Sequence, residues 1–255
     1  MPQEVFASTQ FDEAMAEFDS PTTDGWEFVT ETSELKIYRR LHAEGSGLYE
    51  YKTFGTLKGM DALTAYQVYM DLDYRREWDN LKPEYLHVRP TPESESEDHP
   101  ESVYWRVKFP LMMADRDYIL YREARSLIDA HGETCYAVLL EIDEDGTEAE
   151  PVPSGVVRVR EYAQTVVFGP GAPNPDEYTA VYMHYYDNPE TSIPKTVVNW
   201  AISSGIPTFL KNLKSACKKY KARGEGGMAE VLGDPAAVQD LKATLDQSME
   251  KAFQL

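Results

Sequence analysis

The chain has 255 residues, enough for one large domain or one domain with a small appendage, and 42% of them are hydrophobic, material for a sizeable core. Its formal net charge is −19, which denies it the basic footprint that a phosphate backbone needs and excludes nucleic acid as a general partner. The two cysteines, Cys135 and Cys217, stand in no paired motif and read as free thiols in a reducing compartment.

The opening MPQEVFASTQ has no basic segment leading into an apolar run, so no secretory signal is expected. No apolar stretch approaches the ~18 residues of a membrane span, and the final AFQL offers no cysteine for prenylation. The expectation is a cytoplasmic protein. Within residues 3–19, Phe11, Ala14, Met15 and Phe18 recur at helical spacing. Strand-like runs follow near 26–29, 35–41 and 48–56. Asp61 suits the N-cap of a helix through Leu72, and a second helical segment, 73–80, contains DYRREWDN. PTPESESEDHPE, from residue 90, is acidic, proline-rich and aperiodic, the composition of a surface loop. Strands recur at 103–110, 116–129, 133–142, 155–168 and 178–186, separated by EDGTEAEPVPS and GPGAPNPDE. From Ser192 a long helix runs toward Tyr220, interrupted or bent at Gly205 and Pro207. GEGG at 224–227 reads as a linker, and Asp234-Pro235 as the cap and first turn of a last helix. Strands lie between helices and do not alternate with them, the α+β pattern of an antiparallel sheet that can curve around a long helix and enclose a ligand.

Two stretches carry chemistry. In VYWRVKFPLMMADRDYILYR, from residue 103, Trp105 and Val107 share one strand face, and Trp105 and Tyr118 point toward the same interior. Leu111-Met112-Met113 then puts apolar side chains where a polar loop is expected. The long helix is basic: residues 191–223 hold Lys195, Lys211, Lys214, Lys218, Lys219, Lys221 and Arg223 and no acid. A basic amphipathic helix on an acidic body suits anionic lipid headgroups, although lysines also suit a helix C-terminus through its dipole.

DLDYRREWDN, VYWRVKFP followed by RDYILYR, GVVRVREYAQ, and YYDNPETSIPKTVVNWA with GIPTFLKNLKSACKKY occur in this order and together resemble the START lipid-transfer domains, over residues 20–222. The similarity is greatest to the phosphatidylcholine-transfer subgroup. The resemblance implies a helix-grip fold: a curved antiparallel sheet closed by the long C-terminal helix around one lipid in an internal tunnel. It divides the chain into an N-terminal helix (1–19), the lipid-binding domain (20–223), and a linker with helical tail (224–255) onto which a protein partner could dock. It implies binding and intermembrane transfer of phosphatidylcholine; the alternative is a START domain for a sterol, ceramide or other phospholipid that acts as a lipid sensor for a protein partner. In the subgroup an aromatic cage holds the choline cation, which has no N–H to donate, and an arginine grips the phosphate. Matched by motif, the cage is Trp105, Tyr118, Tyr162 and Tyr185, the arginine is Arg75, Tyr69 and Gln164 bond the headgroup, and Val107 lines the wall. Leu111, Met112, Met113, Lys211, Lys214, Lys218 and Lys219 become membrane contacts.

Plainer readings stand beside these. Trp105 and Tyr118 serve equally as core aromatics. Arg75 either pairs with Asp79 on a helix surface or is oriented by Asp79 inside the cavity. Arg158 and Arg160 share the parity of Tyr162 and Gln164, a conflict that a bulge near Glu161 would resolve. Tyr185 and Tyr186 are adjacent, so only one faces inward. The sequence has no G-x-S-x-G, P-loop or H-E-x-x-H, and its histidines at 42, 87, 99, 131 and 184 are scattered. Neither catalysis nor a metal or cofactor is expected.

Overall fold

The computed structural model describes residues 5–44, 46–79, 85–89, 100–109, 113–191 and 206–233. The acidic segment 90–99, Leu111, Met112, residues 192–205 and the tail from 234 lie outside the described residues.

Helix α1 (Ser8–Asp19) is followed by β1 (Glu27–Glu31), β2 (Leu35–Leu41) and β3 (Tyr49–Lys58). Next come α2 (Ala62–Met70), α3 (Leu72–Trp78), β4 (Tyr85–Arg89), β5 (Glu101–Val107), β6 (Asp115–Ile128) and β7 (Thr134–Ile142). Then follow α4 (Glu144–Ala149), β8 (Val156–Arg158), β9 (Tyr162–Pro170), β10 (Tyr178–Asp187) and α5 (Ile206–Gly233). The strands form one sheet in the order β1-β2-β3-β10-β9-β7-β6-β5-β4, with β8 added in parallel to β6. The other pairings are antiparallel. This is the α+β architecture expected of the sequence.

Period-two alternation gives the sheet two apolar faces. On the outer face, Phe6, Phe11, Ala14 and Met15 of the α1 segment pack against Cys135, Ala137, Leu139 and Val167. On the inner face, Ala65, Val68 and Tyr69 of α2 and Leu213, Ala216 and Cys217 of α5 cover Leu57, Leu120, Val138, Leu140, Val166 and Phe168. Each fully buried large apolar side chain here contributes about 1.5–3 kcal/mol. Tyr74 of α3 ties α5 down by donating its hydroxyl to the Ala216 carbonyl at 3.0 Å. Lys214 meets Glu34, Lys221 meets Asp61 and Arg223 meets Glu77, so part of the positive charge of α5 is spent on docking it to the acidic body.

Four local expectations change. The boundary between the two helical segments moves from Leu72 to Asp71, because Asp71 adopts an extended backbone and caps α3 by accepting from the Tyr74 N–H at 2.8 Å. Residues 144–149, read as loop, form α4, capped by Asp143, which accepts from the Gly146 N–H. The edge strand β4 went unread, because YLHVR is a short run that keeps most of its side chains at the surface. Finally, α5 passes through the GEGG segment to Gly233. Helical glycine costs about 1 kcal/mol, but Ala222, Glu225, Met228, Ala229 and Glu230 around it are good helix formers.

The parity conflict on the β8–β9 segment is resolved by a break in the strand: β8 ends at Arg158 and β9 begins at Tyr162. Between them, the Val159 N–H still donates to the Asp117 carbonyl at 3.0 Å. Arg158 therefore meets the side chain of Asp117, whose neighbour Tyr118 faces inward, while Tyr162 and Gln164 sit on the inner face.

Candidate functional site

The inner face of β5, β6, β9 and β10 carries a continuous row of rings. Trp105 lies opposite Tyr118 in the β5–β6 register, with centroids 5.4 Å apart. Tyr118 meets Tyr162 edge-on at 5.4 Å, and Tyr162 meets Tyr185 edge-on at 5.7 Å. Edge-to-face contacts leave ring faces free to meet a further group. Tyr186, the other member of the adjacent pair, turns to the opposite face, stacks on His42 and donates to Glu161 at 2.8 Å.

Buried tyrosine hydroxyls need acceptors, and two acceptors serve all four. Tyr69 and Tyr162 both donate to Gln164 Oε1, at 2.6 and 3.1 Å. Tyr118 and Tyr185 both donate to Asp187 Oδ2, at 3.0 Å each. Burial pushes the hydroxyls of Tyr69, Tyr118, Tyr162 and Tyr185 above the usual phenol range, so all remain donors.

Arg75 closes one end of the row. Its guanidinium lies 5.1 Å from the Trp105 ring centre and 5.2 Å from that of Tyr69. Its Nε donates to Asp79 Oδ2 at 3.1 Å, and the Asp79 side chain is 0% exposed. The pair is thus inward-facing, and Asp79 orients the arginine. Burial works against the charge of Arg75, but Tyr69 and Asp79 outweigh it and hold its pKa above the usual value. The cavity lined by Tyr69, Leu72, Arg75, Leu86, Trp105 and Gln164 measures about 20 Å³, the space of about one water. The tunnel expected for a lipid is not open at this point, because the headgroup side chains themselves fill it.

Seven of the residues matched by motif (Arg75, Tyr69, Trp105, Tyr118, Tyr162, Gln164 and Tyr185) are therefore joined by contacts. Val107 is buried in the same core cluster as Tyr69, Tyr118 and Tyr162. Met113 is half-buried, while Leu111 and Met112 lie outside the described residues. Lys211, Lys218 and Lys219 are exposed, but Lys214 is held by Glu34. Sequence reasoning missed Asp187, although the alternation that turns Tyr185 inward turns Asp187 inward as well. It also missed Arg116 on the same face of β6, 1% exposed, whose guanidinium donates to the carbonyls of Ala114 and Pro189. Among the described residues no group of acids, histidines and cysteines could hold a metal, and no helix is long and apolar enough to cross a membrane.

The START domain family matches residues 8–223. The phosphatidylcholine transfer protein of Mus musculus is 39% identical over 217 residues, 84% of this chain and 95% of the mouse protein. That of Homo sapiens is 37% identical over 218 residues, 84% of this chain and 95% of the human protein. Among solved structures, human STARD10 superposes with a TM-score of 0.66 at 19% identity, covering 89% of this chain and 86% of that one, a likeness of fold. On the extent of the family match and on these relatives, the chain belongs to the START-domain family.

Proposed function

We propose that this protein binds one phosphatidylcholine molecule and carries it between membranes, leaving the lipid chemically unchanged. The observation that carries the reading is the buried Arg75 beside an unbroken row of four rings. A guanidinium matches the lipid phosphate, and ring faces match a trimethylated cation that has no N–H to donate. The mouse and human relatives, named for phosphatidylcholine transfer, support the same choice. A sterol has no phosphate and would leave Arg75 without a purpose. Residues 20–223 form the lipid-binding unit, with α1 packed on its outer face; residues 224–255 are an appendage available to a protein partner.

Because the headgroup side chains leave only about 20 Å³ between them, loading requires these side chains to part, and α5 to move with them. The contacts of α5 suit this. Its ion pairs with Asp61 and Glu77 lie at the surface and are worth at most about 1 kcal/mol each. Its exposed Lys211, Lys218 and Lys219 offer charge to an anionic bilayer, and the half-buried Met113 is a further, apolar membrane contact. Polybasic segments gain about 1 kcal/mol per residue at such surfaces. Replacing these three lysines by Gln should slow transfer to anionic vesicles by well over tenfold and leave transfer to neutral vesicles almost unchanged. Equal slowing on both would place the lysines in the folded core of the problem and not at the membrane.

The direct test of the ligand is extraction from vesicles containing equal amounts of phosphatidylcholine, phosphatidylethanolamine, sterol and ceramide, read by native mass spectrometry. One phosphatidylcholine per chain is the expected result. Preference for sterol or ceramide would overturn the reading and leave the family assignment standing.

A further inference from the structure

Asp187 is the last residue of β10, facing Tyr162 across the β9–β10 register. Its two oxygens are treated differently. Oδ2 accepts both the Tyr118 and Tyr185 hydroxyls. Oδ1 is buried and has no hydrogen-bond partner among the described residues. A buried carboxylate oxygen without a donor is costly, and it is held here by the very tyrosines that line the row of rings. A cationic headgroup offsets that cost by its charge, even where, as in a quaternary ammonium, it has no N–H to give.

We propose that Asp187 is a specificity-determining residue of the lipid site, its free oxygen supplying the counter-charge for the quaternary ammonium that the rings enclose. This deepens the phosphatidylcholine reading and rests on it. The site then holds two opposite charges at its two ends, Arg75 for the phosphate and Asp187 for the choline, with the rings between. Aromatic faces alone select a cation weakly when it is exposed to water. An ionised carboxylate close by in a poorly solvated site adds an attraction that a neutral headgroup cannot claim.

The surroundings of Asp187 set its behaviour with pH. From β6 it faces Tyr118 and Arg116, from β9 Tyr162, and on its own strand and just beyond it Tyr185 and Glu190. Arg116 makes no ion pair with it among the described residues. Burial raises its pKa to about 6, against the hydrogen bonds of Tyr185 and Tyr118 and the charge of Arg116, with Glu190 adding to the rise. A cation binds the ionised form. Below the pKa of the free protein a proton must leave before the headgroup enters, so affinity for phosphatidylcholine falls as pH falls through about 6. Phosphatidylglycerol, with the same phosphate and no cation, gains nothing from the ionised carboxylate and should bind no worse at low pH.

The test uses the full chain, wild type and Asp187→Asn, with vesicles of phosphatidylcholine or phosphatidylglycerol carrying the same acyl chains, between pH 5 and 8. For wild type, phosphatidylcholine extraction should fall several-fold from pH 7.5 to 5. Asp187→Asn should lose about tenfold at pH 7.5 and show a flat profile, while its phosphatidylglycerol extraction is unchanged. The phosphatidylglycerol arm reports folding: equal loss of both lipids in the variant would assign Asp187 to structure and overturn the proposal. So would a wild-type profile for phosphatidylcholine that stays flat. If wild type takes no phosphatidylcholine at any pH, it is the parent reading that fails. Soluble phosphocholine is added as competitor in a further arm. Lipid retained in its presence assigns the cation to a membrane lipid; lipid displaced by it assigns the site to a soluble choline ester and overturns the lipid form of the proposal.

Discussion

Arg75→Gln should reduce phospholipid extraction per folded molecule by tenfold to a hundredfold, and it should also lower the unfolding midpoint, because the buried Asp79 loses its cationic partner. The arginine is the charged group that lies over both Tyr69 and Trp105, 5.2 and 5.1 Å from their centres. A charge-assisted hydrogen bond is worth about 1.5–3 kcal/mol, and the forked guanidinium can make two to one phosphate. Glutamine keeps a donor amide and much of the stem, so packing against the rings survives but the charge does not. Arg75→Lys is the informative companion. It restores the charge without the fork, and it should recover only part of the affinity. The readout is competitive extraction from mixed vesicles, with denaturant unfolding as the control for folding. Full activity in Arg75→Gln would remove the phosphate from this end of the site. Trp105→Leu should act differently: it narrows the preference for phosphatidylcholine over phosphatidylethanolamine more than it lowers total lipid bound, because an ammonium with N–H groups depends less on ring faces.

The sequence made the inner row legible because strand alternation is a strong local signal. Trp105 and Val107, or Tyr162 and Gln164, can be placed on one face without knowing the fold. That Arg75 turns inward could not be derived this way. Helical spacing allows a surface pair with Asp79 as readily as a buried one, and only the packing of α3 against the sheet edge decides between them. Asp187 was hidden by its residue type. A carboxylate at the end of a strand reads as solvated by default, and its burial follows from Tyr118 and Tyr185, which reach it from two strands. The ion pair of Lys214 was hidden for a related reason. Charge on a helix shows in sequence, but its partner Glu34 is distant along the chain. The break between β8 and β9 is also a tertiary effect. Alternation predicts a conflict at Arg158, and the conflict ends because β8 joins β6 while β9 joins β7 and β10.

That break makes the largest stability prediction. Arg158 donates from Nε and Nη2 to the two oxygens of Asp117, both at 2.8 Å, and the side chains are 2% and 0% exposed. Its Nη1 donates to the carbonyls of Thr147 and Glu150, so the same guanidinium holds α4 in place. Arg158→Met keeps the bulk and removes every one of these donors. Asp117 then stays buried with the Tyr104 hydroxyl, 3.1 Å from its Oδ2, as its remaining side-chain donor among the described residues. Breaking a buried pair from one side costs about 3–5 kcal/mol, a fall of about 6–20 °C in Tm for a domain of this size. The double variant Arg158→Met, Asp117→Leu leaves no uncompensated charge and should recover much of the loss. Because Asp117 points away from the face that carries Tyr118, lipid bound per folded molecule should hardly change in either variant. Denaturant unfolding and vesicle extraction on the same samples separate the two effects. A variant that kept its unfolding midpoint and lost its lipid would put Arg158 on the ligand side of the sheet and reverse the facing assigned to β8.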